Sequence, residues 1–131
     1  MPLALYIKFD IISMEFQIIY YKDSSEKLPV EEFLLELGKT NNLLQAQAFK
    51  GLEKLRNKAY HKEPLSKYLA PGLWELRVRT GTDILRIIYT FSKGQIIILL
   101  HVFIKKKQKT PAGEMEIARK RLREVKMKEA D

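Results

Sequence analysis

The chain has 131 residues, 46% of them hydrophobic, and a formal net charge of +8 at pH 7. This length and composition are typical of one globular domain with a modest core, and they exclude a disordered chain. The chain has no cysteine, which excludes disulfides and thiolate metal sites, and no apolar run approaches the roughly 20 residues of a membrane span, so we expect a cytoplasmic protein without a membrane partner.

The first half of the chain predicts a strand followed by a helical hairpin. Residues 15–21, EFQIIYY, are β-branched and aromatic and form the predicted strand. A helix is predicted over 29–38, because proline suits its first turn and glycine its end. A second helix is predicted over 41–59, where apolar residues recur every three or four positions. We interpret residues 60–72, with two prolines and a glycine, as an irregular loop.

The N-terminal segment has no structural role that its pattern reveals. Met14 directly precedes the first predicted strand, which gives the chain a second possible start. We therefore interpret residues 1–13 as an N-terminal extension or a misassigned start, and residues 14–131 as a single domain.

The second half predicts three strands and a helix. Strands over 73–79, 84–91 and 95–104 are separated by the turn sequences TGTD and SKG. The third is an almost unbroken apolar run, typical of a strand buried on both faces. A last helix is predicted over 111–126. The element order predicts an α+β domain with an antiparallel-rich sheet, covered by helices on one side and open on the other.

Three arginines are predicted to share the open face of the sheet. Strict alternation places Arg77 and Arg79 on one face of their strand, and Arg86 is the single charge of the next strand. Guanidinium groups that converge in this way can bind phosphate bidentately. The alternative is that Glu75 and neighbouring acids neutralise them on a solvated face, and the sequence leaves both interpretations open.

A run of lysines follows the third strand directly. The four are Lys105, Lys106, Lys107 and Lys109, and Thr110-Pro111 then predicts the cap and first turn of the last helix. Lysines that a rigid strand delivers to one place can bind a phosphate backbone. One of them, with its pKa lowered by the others, could transfer protons. The alternative is a solvated charge run.

The distribution of charge indicates a polyanionic partner. Residues 1–72 carry 10 Lys/Arg against 9 Asp/Glu, whereas residues 73–131 carry 14 against 7. A nearly neutral half joined to a basic half favours nucleic acid or an acidic protein as the partner of one face. Simple solubility is the alternative explanation.

Two further residues are weaker candidates. His101 could shuttle protons near neutral pH, but a lone histidine on an apolar strand is more often a hydrogen-bonded sheet residue. Tyr89 could stack on a base. With no cysteine and no paired histidines we expect no metal site, and without a nucleotide-binding fingerprint we expect no cofactor.

Several of these segments resemble one known family. They are LWELR (73–77), the arginine of the next strand, HVFIKKKQKTP (101–111), and Glu114 and Ala118 of the last helix. Together the segments are similar to toxins of the RelE/ParE superfamily, in the phage-derived, HigB-like branch of type II toxin–antitoxin systems. The resemblance covers about residues 14–126.

The resemblance implies a RelE-like fold and a ribosome-dependent mRNA endoribonuclease (mRNA interferase) that needs no metal. A cognate antitoxin, usually a helix-turn-helix protein, would neutralise it. Arg77 and Arg86 would then hold the scissile phosphate, and Lys105 and Lys106 would bind the backbone or transfer protons during attack of the ribose 2′-hydroxyl. We expect further RNA contacts from Arg79, Lys107, Lys109, His101 and Tyr89.

Two other functions remain open at this point. The ParE branch of the same superfamily inhibits DNA gyrase and cuts no RNA. A degenerate toxin would act only as a basic nucleic-acid-binding protein, with steeply salt-dependent binding.

Overall fold

The structure is a computed structural model that describes residues 15–105 and 110–130. Its strands are β1 (Gln17–Tyr20), β2 (Ser66–Ala70), β3 (Leu73–Thr80), β4 (Asp83–Ser92) and β5 (Ile96–Lys105). Its helices are α1 (Pro29–Thr40), α2 (Asn42–Leu55) and α3 (Ala112–Ala130), with a short 3-10 helix at Lys58–Tyr60. Residues 1–13 and three predicted site residues, Lys106, Lys107 and Lys109, lie outside the described residues.

The five strands form one sheet in the order β1-β5-β4-β3-β2. β1 runs parallel to β5, and the other neighbours are antiparallel. This architecture confirms the predicted α+β class, the antiparallel-rich sheet and the RelE-like element order. In the described part of the chain, no helix combines the length and the apolar character that crossing a membrane requires.

The edge strand β2 was not predicted, and the irregular loop assigned to residues 60–72 is wrong over Ser66–Ala70. Its sequence, SKYLA, lacks a clear alternation of apolar and polar residues, so no periodicity predicts a strand there. The strand forms because its backbone pairs with that of β3. Pro71 and Gly72 make the turn into β3, where Gly72 has a φ of +78°. Proline followed by a glycine of positive φ is typical of a tight turn between strands.

The first core lies between the helical hairpin and one face of the sheet. Its fully buried leucines include Leu34 of α1, Leu44 and Leu55 of α2, and Leu76 of β3. The hairpin was predicted, but α2 ends at Leu55 and not near Ala59. The reason is local, since the Asn57 side chain accepts a hydrogen bond from the Ala59 backbone N–H at 2.9 Å and starts the 3-10 turn.

The second core lies on the opposite face of the same sheet, beneath α3. Ala118 of α3 packs there with Leu73, Ile88, Leu100 and Phe103 of the central strands. Neighbouring strand positions such as Ile87 and Ile88 belong to different cores, as alternation requires. The prediction that helices cover only one side is therefore wrong, because the apolar stripe of α3 covers part of the face expected to be open.

Candidate functional site

Antiparallel pairing aligns the side chains of β3, β4 and β5 in three rows on the face that carries α3. The rows are Glu75–Ile88–His101, Arg77–Arg86–Phe103 and Arg79–Ile84–Lys105. Successive rows are about 7 Å apart, since two strand residues separate them. The structure therefore brings the three predicted arginines and Lys105 to one end of one face. The connection 106–109 follows Lys105 directly.

A buried carboxylate organises this end of the sheet. Both Glu75 side-chain oxygens lie 3.3 Å from Nη1 of Arg86, and the Thr110 hydroxyl donates to Glu75 Oε2 at 2.9 Å. The Glu75 side chain is 0% exposed and that of Arg86 3%. The expectation that Arg86 stands on an open face is thus wrong. The alternative is correct in that Glu75 neutralises Arg86, and wrong in that the pair is buried and not solvated. The ion pair is internal and holds the start of α3 against β3.

Arg77 is more accessible than Arg86 and is held from two sides. Its Nη2 donates to Glu63 Oε1 at 2.9 Å, and its Nε lies 3.8 Å from Glu75 Oε1. Its side chain is 15% exposed, whereas that of Glu63 is 68% exposed. Within residues 15–105 and 110–130, the Arg77 Nε–H makes no hydrogen bond. This Nε is buried beside Glu75, so an anion could reach Arg77 only at its terminal nitrogens, where the present acceptor Glu63 is largely exposed to solvent.

The remaining cations of the site lie in the last row. Arg79 is exposed and forms no ion pair with any part of the chain that the structure describes. Lys105 ends β5 and is half-buried. These two residues extend the positive charge of Arg77 toward the turn between β3 and β4.

His101 faces α3 and has partners for both ring nitrogens. Nε2 lies 3.1 Å from Glu114 Oε1, and Arg121 Nη1 approaches Nδ1 at 3.4 Å. A neutral ring with its proton on Nε2 satisfies both contacts, since the carboxylate accepts and the guanidinium donates. His101 is a hydrogen-bonded sheet residue, and with 13% of its side chain exposed it has little surface for an RNA contact.

The polar contacts continue along α3 away from the arginines. Arg121 donates to the Leu100 carbonyl at 2.8 Å and lies over the ring of Tyr21, 5.0 Å from its centroid. The Tyr21 hydroxyl donates to Glu124. Burial, followed by this hydrogen bond and the charge of Glu124, raises the pKa of Tyr21 to about 12. These contacts attach α3 to β5 and to Tyr21, which directly follows β1.

Tyr89 does not belong to the site. It is 0% exposed and lies in the first core, on the sheet face opposite to Arg86, with its ring stacked 6.5 Å from Trp74. Burial raises the pKa of its hydroxyl. A base could not stack on Tyr89 while this core is packed, so the expected RNA contact is wrong.

The sequence indicated the cations, Glu75 as a neutralising acid and Thr110 as the helix cap, but it did not indicate Glu63. Glu75, Glu63 and Thr110 position the arginines and the start of α3. Glu75 had a signal, because alternation places it on the same strand face as Arg77 and Arg79. Glu63 had none, since it lies in a segment without periodicity. Among the described residues, no group of three or more His, Asp or Glu could hold a metal ion.

Comparison with known families gives one match. The family model described as "Phage derived protein Gp49-like (DUF891)" matches residues 33–123. The matched region is more than two thirds of the chain, and it includes Arg77, Arg86 and Lys105. No curated protein has a sequence match to the chain.

Proposed function

The chain belongs to the phage-derived Gp49-like family, a family of RelE/toxin-like proteins associated with toxin–antitoxin systems, and from this membership we propose that it is an mRNA-cleaving toxin. More specifically, it is a HigB-like toxin that acts on ribosome-bound mRNA in the cytoplasm. An antitoxin, encoded beside it and carrying a helix-turn-helix domain, holds it inactive.

The observation that carries this proposal is the row arrangement of cations. Arg77 and Arg86 are cross-strand partners, and Arg79 and Lys105 occupy the next row on the same face. Directly opposed like charges are unfavourable unless an anion lies between them. Glu75 supplies one such anion inside the sheet. A phosphate outside it would pair with the exposed Arg79 and replace Glu63 on Arg77.

The chemistry that suits such a site is transesterification of RNA. The ribose 2′-oxygen forms a bond to the neighbouring phosphorus, the bond to the 5′-oxygen breaks, and a 2′,3′-cyclic phosphate and a 5′-hydroxyl result. Arg77 binds the nonbridging oxygens, where charge develops. Lys105 and Lys106 bind the backbone, and one of them takes the proton from the 2′-hydroxyl while the other gives a proton to the 5′-oxygen as its bond breaks.

Arg86 acts from a buried position. Its guanidinium is bound to Glu75 and is almost fully covered, so it holds the site together by fixing the Glu75 carboxylate. Arg77 is consequently the arginine that touches the phosphate. Arg79, Lys107 and Lys109 contact the RNA on either side.

Loss of mRNA cleavage in an Arg77→Ala variant tests this proposal. The variant is induced in cells beside the wild type, and primer extension maps cuts in a reporter mRNA. We expect cleavage to fall about 10²- to 10³-fold, as when one donor to a developing oxyanion is removed. Arg123→Ala is the matched control, because Arg123 is an exposed arginine of α3. This variant should cleave the mRNA like the wild type.

Other outcomes reject the nuclease. Wild-type protein that arrests growth with intact transcripts and damaged DNA would be a gyrase inhibitor. Wild-type protein that binds RNA with a steep salt dependence, but neither arrests growth nor cuts mRNA, would be a degenerate toxin. Undiminished cleavage by Arg77→Ala would remove the proposed catalytic role of Arg77.

A further inference from the structure

A second cationic cleft adjoins the candidate site. It has a volume of about 560 Å³, within the usual range for ligand sites. Residues from the end of α2, the 3-10 helix, the segment before β2, and β3 line it. Its charged and aromatic lining consists of Lys54, Tyr60, Lys62, Glu63, Arg77 and Arg79.

The cleft exists because β2 covers only part of β3. Pairing begins at Ser66 opposite Leu76, so β3 beyond Arg77 has no strand beside it on that edge. The Arg77 backbone N–H donates to the Leu65 carbonyl at 2.9 Å, and this bond sets the floor of the cleft. Arg77 and Arg79 thus belong to both the cleft and the candidate site, and a bound chain could pass from one to the other.

The charge of the cleft favours an anionic ligand. Its lining contains the cations Lys54, Lys62, Arg77 and Arg79, against the single carboxylate of Glu63. That carboxylate accepts from Arg77 at 2.9 Å and is largely exposed. A phosphate could replace Glu63 on Arg77 at little cost, because the Glu63 carboxylate is largely exposed and regains contact with solvent when it leaves.

An aromatic ring stands at the side of this cleft. Tyr60 is 40% exposed, and the ammonium of Lys54 lies 5.7 Å from its ring centroid. An exposed tyrosine beside lysines is a platform on which a base can stack while its phosphates are neutralised.

Tyr60 is held in place before any ligand binds. Its backbone N–H donates to the Asn57 carbonyl at 3.0 Å, closing the 3-10 turn. The next residue, His61, is anchored by a 2.6 Å contact between its Nε2 and the Leu55 carbonyl. The His61 ring packs 4.7 Å from Phe16 and 5.1 Å from Phe91. These contacts fix the backbone that carries the Tyr60 ring, which lowers the cost of positioning the ring for a ligand.

We propose that this cleft binds the nucleotide next to the cleaved phosphate, with its base on Tyr60 and its flanking phosphate on Lys54 and Lys62. The ligand is single-stranded RNA, because a ring bordered by separated cations suits a stacked base with a continuous phosphate backbone. The inference rests on the proposed function, and it makes Tyr60 a binding residue outside the predicted motifs.

Binding of an uncleavable RNA tests the cleft separately from catalysis. The probe is a fluorescein-labelled 2′-O-methyl oligonucleotide, which lacks the attacking hydroxyl, and its Kd for the full chain is measured by anisotropy. Tyr60→Ala should weaken binding about tenfold, whereas Tyr60→Phe, which keeps the ring, should stay within about twofold of the wild type. Lys54→Met and Lys62→Met should each reduce the slope of log K against log salt by about 0.7.

Matched controls come from residues outside the cleft. Tyr68→Ala removes an exposed tyrosine of β2, and Lys39→Met removes an exposed lysine of α1. Both should bind the probe like the wild type. Thermal unfolding by circular dichroism shows that each variant is folded.

The outcomes separate the cleft from the nuclease. Equal Kd values for Tyr60→Ala and the wild type would contradict the proposed RNA site in the cleft. An equal loss of affinity in Tyr60→Phe and Tyr60→Ala would also contradict it, because Tyr60→Phe keeps the ring. If ribosome-bound mRNA is cut but Tyr60→Ala binds normally, the nuclease stands and the cleft fails. If no mRNA is cut but binding depends on the Tyr60 ring, the cleft stands as an RNA site and the nuclease fails.

Discussion

At the scale of single residues, Glu75 decides how the cations of the site are arranged. Its fully buried carboxylate binds Arg86 and Thr110 and lies near Arg77, so one anion orients two arginines and the start of α3. A buried ion pair gains little net stability over apolar residues of the same volume, but loss of one partner is costly. We infer that Glu75 and Arg86 are present for the geometry of the site.

Substitution at Glu75 and Arg86 should separate stability from activity. Glu75→Leu removes the buried carboxylate beside Arg86 and should lower the free energy of unfolding by about 3 kcal/mol. The double variant Glu75→Leu, Arg86→Met should regain most of the lost free energy of unfolding, but it should not cleave mRNA. Urea denaturation measures the first quantity and primer extension the second.

The control for this pair is Glu116→Leu, at an exposed position of α3. It should change the free energy of unfolding by less than about 0.5 kcal/mol. A double variant as unstable as Glu75→Leu, or one that still cuts mRNA, would contradict the role assigned to the pair.

At the scale of elements, α3 is attached to the sheet by few contacts. Ala118 is its single fully buried residue among those described, and most of the helix is exposed. Leu122 packs against the β2–β3 turn at Gly72, where an added Cβ would lie 3.1 Å from Leu122 Cδ2. Gly72 also has a φ of +78°, so the turn needs glycine for conformation and for space.

Substitution of glycines tests this attachment. Gly72→Ala combines backbone strain with displacement of Leu122 and should lower the free energy of unfolding by about 2 kcal/mol. Gly81→Ala is the matched control, because its φ of +57° brings backbone strain while no atom lies within 4 Å of the added Cβ. It should cost about 1 kcal/mol. Equal losses in urea denaturation would show that Leu122 does not hold α3 at this turn.

At the scale of the whole molecule, the sheet has a core on each face. The hairpin covers one face completely enough to bury Leu76, and α3 covers part of the other, burying Leu100. The two cores share β3, β4 and β5, so disruption of either removes support from the same strands. We therefore expect the domain predicted over 14–131 to unfold as one unit.

Cavities in the two cores test this cooperativity. Leu76→Ala and Leu100→Ala should each lower the free energy of unfolding by about 2 to 5 kcal/mol. Each should keep a single transition when followed by Trp74 fluorescence and by far-ultraviolet circular dichroism. Leu35→Ala, at a position that is 56% exposed, should have little effect. Transitions that separate between the two probes would mean that the α3 face unfolds independently.

The local patterns that the sequence carries were sufficient for most elements. Alternation located β3, an almost unbroken apolar run located β5, helical periodicity located the hairpin and α3, and turn residues marked the ends of β4 between them. β2 was not predicted, because this edge strand is stabilised by backbone pairing with β3 and not by a pattern of its own side chains. The exact end of α2 was not predicted, because it depends on a local hydrogen bond to the Asn57 side chain, which apolar periodicity does not indicate.

The sequence by itself determined the α+β class, the strand faces of Arg77, Arg79 and Arg86, and the place of Lys105 at the end of β5, because all depend on short-range patterns. Tertiary structure alone decided that Arg77 and Arg86 are cross-strand partners, that Glu75 is buried with Arg86, and that α3 covers part of the expected open face. The cleft beside Tyr60 also depends on the tertiary structure. Strand register and helix docking depend on contacts between residues far apart in the chain, which no local pattern records.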